Sequence, residues 1–241
     1  MRITFLVNHD LPALLALNYL IPALKQHDIC VFFSKKNGST RNSENRKLIE
    51  LADFESQQLC QSTSLISFNE FGAQALNKVN TLDYQRFANT KPELVVSIRY
   101  MTILKDRVIN TPTLGVINLH SGPLPTYQGV MATFWCLYNK ESHIGTTLHF
   151  IEDSEIDTGS IIIASSIEAN YQRSYLWNVL NIYHSGCANI VQAIKQLSLG
   201  DPLKSITQSG QASYYSFPSS DDIDDSGIKL FSKEDKVTEF L

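Results

Sequence analysis

Residues 93–120 read ELVVSIRYMTILKDRVINTPTLGVINLH. Two apolar, β-branched runs, 93–98 and 114–119, flank a segment at 102–108 that can turn as a short helix. Strand, helix, strand in this order is the repeating unit of a parallel α/β sheet. The second run ends on Asn118 and His120, and a loop dense in Gly122, Pro123, Pro125 and Gly129 follows at once. Two residues apart in extended chain, Asn118 and His120 point to one side, while Ile117 and Leu119 point to the other, toward the core. Ligands of open α/β sheets sit beyond the carboxyl ends of the strands. The pair therefore reads equally well as the cap of a turn or as a reactive rim, with the prolines stiffening the backbone behind it.

The flanking sequence repeats the alternation. Strands are expected at 2–7, 29–34 and 64–68, and helices at 12–26, 44–58 and 71–88, the first of these kinked or divided by Pro22. Residues 35–45 are polar and read as an exposed loop. Beyond the rim come a helix at 131–139 and two closely spaced strands at 145–151 and 160–167. The space between these strands is too short for a crossover helix, so they read as an antiparallel hairpin at one edge of the sheet. The alternation within 145–151 suits a strand half exposed to solvent. Leu176, Leu180, Tyr183, Cys187, Ile190, Ile194 and Leu197 step by fours and threes and define one helical face, with Ser174 as N-cap and Gly200 and Pro202 as the stop. After Pro202 the chain turns polar. The organisation is thus one α/β domain over 1–202 and a short C-terminal extension over 203–241.

Composition narrows the function classes. The 241 residues are 43% hydrophobic with a net charge of −4, enough for a sizeable core and without a basic block that would mark a nucleic-acid binder. No stretch reaches the length of a membrane span, and the apolar run at the N-terminus is too short for a signal peptide. Cys30, Cys60, Cys136 and Cys187 are scattered and show no zinc spacing. A reduced, cytoplasmic protein is the expectation.

A second chemical feature is FIEDSEIDTGSIII, residues 150–163, which crowds Glu152, Asp153, Glu155 and Asp157 together. Three of these read as solvated loop charges. Asp157 differs, because it stands just before TGS and the next apolar strand, where it can accept from a histidine ring nitrogen. An amide, an imidazole and a carboxylate from separate segments make a plausible acyl-transfer site. Ser121 lacks a nucleophile elbow, and no phosphate-binding glycine motif occurs. Among the remaining histidines, His149 is read as structural, and His9, at the end of the first strand, as a candidate ligand contact.

These segments resemble the formyltransferases that use N10-formyltetrahydrofolate. NLHSGPLPTYQG resembles their N-x-H-P-S-L-L-P-x-Y-R-G segment, EIDTGSII their D-x-G-P-I-I loop, and SIRYMTIL at 97–104 the strand and turn that line their folate pocket. The resemblance implies a Rossmann-like, mostly parallel sheet flanked by helices. It implies a catalytic triad of Asn118, His120 and Asp157, with Asn118 donating to the oxyanion, His120 moving protons and Asp157 orienting His120. It places the pterin near Met101, Ile103 and Leu104 and near Asp153, Ser154 and Glu155, with no metal needed. Two departures stand out: Ser121-Gly122-Pro123 replaces the usual Pro-Ser-Leu, and Gln128 replaces the usual Arg, both on the side where an acceptor would lie.

The resemblance leaves the acceptor amine open. Members that formylate glycinamide ribonucleotide carry a Gly-rich loop after the first strand, where this sequence has NHDLPALLA. Members acting on initiator tRNA carry a further basic domain, whereas residues 220–225 here are acidic. By elimination among these members, the expected acceptor is a nucleotide-linked amino sugar; the resemblance implies dTDP-4-amino-4,6-dideoxyglucose above others, for surface polysaccharide such as O-antigen. The rivals are glycinamide ribonucleotide or another primary amine, and a non-catalytic folate-binding or regulatory protein. Tyr214 and Tyr215 could stack on a base, although the preferred reading packs one ring and leaves the other exposed. Arg41, Arg46, Lys78 and Arg99 are the cations considered for a diphosphate. Family analogy also implies a homodimer, with 145–151 and the tail as possible contact surfaces.

Overall fold

The computed structural model describes residues 1–35 and 45–240. In chain order the elements are β1 (Arg2–Asn8), α1 (Leu11–Ala23), β2 (Asp28–Ser34), α2 (Arg46–Gln61), β3 (Gln74–Ala75), α3 (Tyr84–Ala88), β4 (Leu94–Ile98), α4 (Asp106–Ile109) and β5 (Val116–His120). They continue with β6 (Gln128–Gly129), α5 (Ala132–Tyr138), β7 (His143–Phe150), β8 (Ile161–Glu168), α6 (Tyr175–Ser198), β9 (Tyr214–Tyr215), α7 (Ser220–Ser226) and a 3-10 turn at Val237–Phe240. Seven strands form one sheet in the order β3-β2-β1-β4-β5-β7-β8. The β3-β2-β1-β4-β5 part is parallel, and β7 and β8 close the other edge antiparallel. The α/β class, the parallel half and the edge hairpin are as expected from sequence.

Alternation sorts the sheet's two faces. Ile3, Phe5 and Val7 of β1, Leu94, Val96 and Ile98 of β4, and Ile117 and Leu119 of β5 join the large core with α1, α5 and α6. Leu6, Val95 and Val116 join a smaller core with Phe87, Leu104 and Val108 on the opposite face. Asn118 and His120 share the face of Val116, so the rim pair rises from the thinner side of the sheet. The α6 stripe is buried as expected from Leu176 to Ile194, with Leu197 half-buried, and Ser174 accepts from the Trp177 amide at 3.0 Å.

Four local expectations are corrected. Pro22 neither divides nor visibly splits α1; it sits in the last turn, and the helix ends at Ala23. Residues 64–68 are not a strand. The Asn18 side chain on α1 takes both the Ile66 amide, at 2.8 Å, and the Ile66 carbonyl, at 3.0 Å, while Leu65 and Phe68 plug the core. Their spacing of three was a packing pattern, not a sheet pattern. The helix expected over 71–88 is confined to Tyr84–Ala88. Upstream of it, the Asp83 carboxylate binds the amides of Asn77 at 3.1 Å and Lys78 at 2.8 Å and holds a turn instead. Finally, β7 is not half exposed: Ile144 to His149 are all buried, and the partly exposed edge is β8. The surface at 145–151 is therefore not available for a two-fold contact.

The C-terminal segment folds back over the rest of the chain. Ile206 forms a backbone bridge to Ile161, and β9 pairs in parallel with β6. Further on, the Tyr175 and Leu176 amides donate to the Lys229 and Leu230 carbonyls, Phe231 stacks on Phe54 at 4.6 Å, and Ser174 Oγ donates to Asp235 at 2.6 Å. At the start of α7, Ser219 as N-cap and Asp222 form a reciprocal capping box.

Candidate active site

The carboxyl ends of β4 and β5 open into a cavity of ≈ 330 Å³. Asn118 and His120 form part of its wall, and the loop after β7 brings Asp157 to the same place. The carboxylate is nearly enclosed. Asp157 Oδ2 lies 3.3 Å from His120 Nδ1 and accepts from the Gly129 amide at 2.9 Å. Oδ1 lies 3.4 Å from Asn118 Nδ2 and 3.4 Å from His149 Nε2. Burial works to raise the Asp157 pKa. The charges and hydrogen bonds of His120 and His149, with the Gly129 amide, overcome it and hold the carboxyl down at about 2.

A backbone carbonyl fixes one proton on each ring. His120 Nε2 faces the Tyr127 carbonyl at 2.6 Å, and a carbonyl only accepts, so Nε2 carries hydrogen. With Nδ1 against a carboxylate, the imidazolium is the form in which both His120 contacts are hydrogen bonds. His149 Nδ1 likewise donates to the Phe150 carbonyl at 2.7 Å, and its Nε2 is 3.1 Å from Asn118 Nδ2. A neutral His149 accepts there from the amide; a charged one donates to Asp157. His149, read from sequence as structural, thus lies at the site itself, against Asn118 and Asp157. It stands directly across from Asn118 in the β5–β7 register, and the β7–β8 ladder shifts at Leu148/His149, a bulge of the kind that re-aims a side chain.

The loop behind His120 is held on both sides. Thr147 Oγ1 donates to the Gly122 carbonyl at 2.8 Å and accepts from the Leu124 amide at 3.2 Å; Thr133 Oγ1 donates to the Ser121 carbonyl at 2.8 Å. A Cβ on Gly122 would lie 2.5 Å from the Ala132 Cβ and 3.0 Å from His120 Nε2, so this loop closes over the imidazole only with glycine there. Gly129 has φ +97°, and a Cβ on it would lie 2.2 Å from the Tyr215 carbonyl. Three non-glycine residues that line the cavity, Arg99, Met131 and Asp157, have left-handed backbone, with φ of 57°, 54° and 56°. Such conformations cost about 1 kcal/mol or more each and persist where the surroundings over-determine them.

The remaining candidates separate into those at the cavity and those away from it. Met101, Ile103 and Leu104 line one side, and Asp153, Ser154 and Glu155 line another. Tyr214 lines it as well and is 59% exposed, whereas Tyr215 is stacked between Tyr127 at 5.3 Å and Trp135 at 5.1 Å. Arg99 reaches the cavity but its Nε donates to Asp10 at 2.7 Å. His9 does not line it: the ring stacks on Phe68 at 4.6 Å beside Phe33, and burial, then Lys35, lowers its pKa. Gln128 is also displaced from the acceptor side. It is buried behind the Asp157 loop and its amide donates to the Asp157 carbonyl at 3.4 Å. Arg46 pairs with Glu50 on the surface of α2, Lys78 lies in an exposed turn, and Arg41 falls outside the described residues.

Residues 1–175 match the family described as formyl transferase. The GDP-perosamine N-formyltransferase of Brucella melitensis is 29% identical over 136 residues, 55% of this chain and 50% of that protein. The methionyl-tRNA formyltransferase of Desulforamulus reducens is 32% identical over 168 residues, 69% of this chain and 48% of that protein. The chain spans about half the length of these curated relatives. Among solved structures, the N-formyltransferase of Helicobacter canadensis in complex with folinic acid and dTDP-3-aminofucose superposes with a TM-score of 0.58 at 18% identity, covering 89% of this chain and 70% of that one. At that identity the likeness is one of fold.

Proposed function

The chain belongs to the formyltransferase family, and on that premise we propose that it is a sugar N-formyltransferase. It transfers the formyl group of N10-formyltetrahydrofolate to the amine of a nucleotide-linked amino sugar. The observation that carries the reading is the buried Asp157 carboxylate at 3.3 Å from His120 and 3.4 Å from both Asn118 and His149, at the wall of a ligand-sized cavity. The donor set suits a reduced folate: Met101, Ile103 and Leu104 offer an apolar wall for a flat ring, and Asp153 and Glu155 offer acceptors for its amino and amide hydrogens. When bound, that co-substrate supplies the activated formyl carbon.

The chain's own residues serve the transfer in three ways. His120, oriented by Asp157, sets a ring N–H beside the carbonyl oxygen as negative charge develops on it. Asn118 Nδ2 has two hydrogens. One bonds His149 at 3.1 Å, and the other, in the longer 3.4 Å contact to Asp157, is the one assigned to that oxygen. The departing nitrogen gains a proton and the attacking amine loses one; His120 is assigned to relay it, giving its ring proton to the departing nitrogen and taking the amine's in return. Asp157 and His149 hold the orientation of the pair.

For the acceptor, the names of the Brucella and Helicobacter relatives support an amino sugar on a nucleotide carrier. We assign dTDP-4-amino-4,6-dideoxyglucose, with Tyr214 as the ring available to the base, and a cytoplasmic role in surface polysaccharide synthesis. A homodimer belongs to the same proposal. Among the described residues no helix is long and apolar enough to cross a membrane. The test is a steady-state assay with N10-formyltetrahydrofolate and a panel of dTDP-, GDP- and UDP-amino sugars beside glycinamide ribonucleotide. Turnover of a dTDP-amino sugar, lost in His120→Ala and Asn118→Ala, is expected. Turnover confined to the ribonucleotide sinks the acceptor assignment. Undiminished turnover in both variants sinks the mechanism.

A further inference from the structure

Residues 204–212 are mostly exposed, and Gln208 is the one among them turned inward. Its Nε2 donates to the Asp157 carbonyl at 2.7 Å and to the Gly159 carbonyl at 2.7 Å. Gln208 is therefore a two-point clamp on the turn that presents the Asp157 carboxylate. That turn needs one: Asp157 is held with φ at 56°, a region a non-glycine residue leaves unless its surroundings fix it. The only other side-chain donor to the Asp157 carbonyl among the described residues is Gln128, at the longer 3.4 Å.

The same segment fastens the opposite loop. The Gln128 amide donates to the Ser213 carbonyl at 2.9 Å, the Ser213 amide donates to the Pro125 carbonyl at 3.4 Å, and the Val130 amide donates to the Tyr215 carbonyl at 3.0 Å. That loop supplies the Tyr127 carbonyl to His120 and the Gly129 amide to Asp157. Between Gln208 and Tyr215 the chain thus spans both halves of the pair. The geometry points to Gln208 as a positioning residue: it keeps the Asp157 carboxylate in register with His120, and through it the C-terminal segment becomes part of the catalytic apparatus. This inference rests on the proposed role of Asp157.

The groups that face Asp157 are His120 from β5, His149 from β7 and the Gly129 amide from β6, with the Asn118 side chain beside them. Asp153 and Glu155, on its own loop, are exposed. Loss of the clamp relaxes the turn and lengthens these contacts together, so Asp157 loses the partners that favour its charged form.

The experiment uses the full chain with Gln208→Met, which keeps the size and removes the donor, and Gln208→Lys, which restores a donor. In Gln208→Met, kcat should fall about tenfold or more with KM for both substrates within about twofold, since a misplaced group costs turnover rather than binding. Gln208→Lys should recover part of the loss. Independently of activity, the Asp157 side-chain carboxyl carbon is followed by NMR against pH, assigned through Asp157→Asn. Its titration should begin at higher pH in Gln208→Met than in the wild type. Wild-type kcat in Gln208→Met, or an unmoved carboxyl titration, overturns the inference. So does a variant that only melts earlier while its folded fraction turns over normally. If the wild type transfers no formyl group, the functional reading fails, and the carboxyl titration still decides whether Gln208 is the clamp.

Discussion

Asp157 and Glu55 both lie almost out of reach of water, and the fold treats them in opposite ways. Asp157 has two imidazoles and a backbone amide around it and is held down at about 2. Glu55, on α2, is pushed up to about 8, first by burial and then by the neighbouring Asp10; Arg99 and the Leu11 amide only partly offset this. The difference lies in how many donors each carboxylate has to itself. Arg99 donates its Nε to Asp10 at 2.7 Å and so is largely committed before it reaches Glu55, whereas the His120 and His149 rings and the Gly129 amide all converge on the one Asp157 carboxylate. A buried carboxylate with convergent donors is a fixed charge, and one that must share becomes a proton carrier.

Three substitutions test that contrast. Asp157→Asn keeps the shape and removes the charge; kcat should fall about 10³-fold or more in steady-state assays, in line with an amide in place of the carboxylate that orients a catalytic imidazole. A loss under tenfold would break the distinction drawn for Asp157. The same variant should resist acid better in relative terms. A carboxyl with a depressed folded pKa lends stability above its unfolded value and loses it as pH falls through the folded one. The wild type should therefore forfeit roughly 2 kcal/mol between about pH 4 and pH 2, and the variant should not, as read from urea midpoints.

Glu55→Gln should move stability the other way. Because the folded pKa is raised, wild-type stability declines as pH rises from about 4.5 to about 8. The variant should match the wild type near pH 4.5 and exceed it by a few kcal/mol at pH 9. Equal stability at pH 9 would mean that Glu55 is satisfied as an anion. The smallest effect belongs to a third buried carboxylate, Asp235, which is held by the Ser174 hydroxyl and the Ser232 amide, both at 2.6 Å. Ser174→Ala removes that donor and the α6 N-cap, and should cost about 1–2 kcal/mol in chemical denaturation with kcat unchanged.

What could be read from sequence follows from the range of each interaction. The β4–β5 unit and α6 announced themselves through periodicity, which is local, and Asn118, His120 and Asp157 through their position at strand ends and in the resemblance. Residues 64–68 and 71–88 misled, because Asn18 and Asp83 satisfy backbone groups there in a way that hydrophobic pattern does not register. His149 was missed since nothing in 145–151 shows that β7 runs antiparallel to β5 in the register that sets it opposite Asn118. Gln208 carries no motif at all; a lone glutamine in a polar stretch becomes visible only when the chain has folded back on itself.

The β5–β7 pairing makes strand register a condition of chemistry. A slip of one residue along β7 would present Leu148 or Phe150 to Asn118 in place of His149 and turn the imidazole to the other face of the sheet. Such a misaligned molecule could retain most of its secondary structure and still be inert. Recovered turnover after refolding thus reports something that circular dichroism does not: the fraction of chains in which β5 and β7 have found their correct alignment.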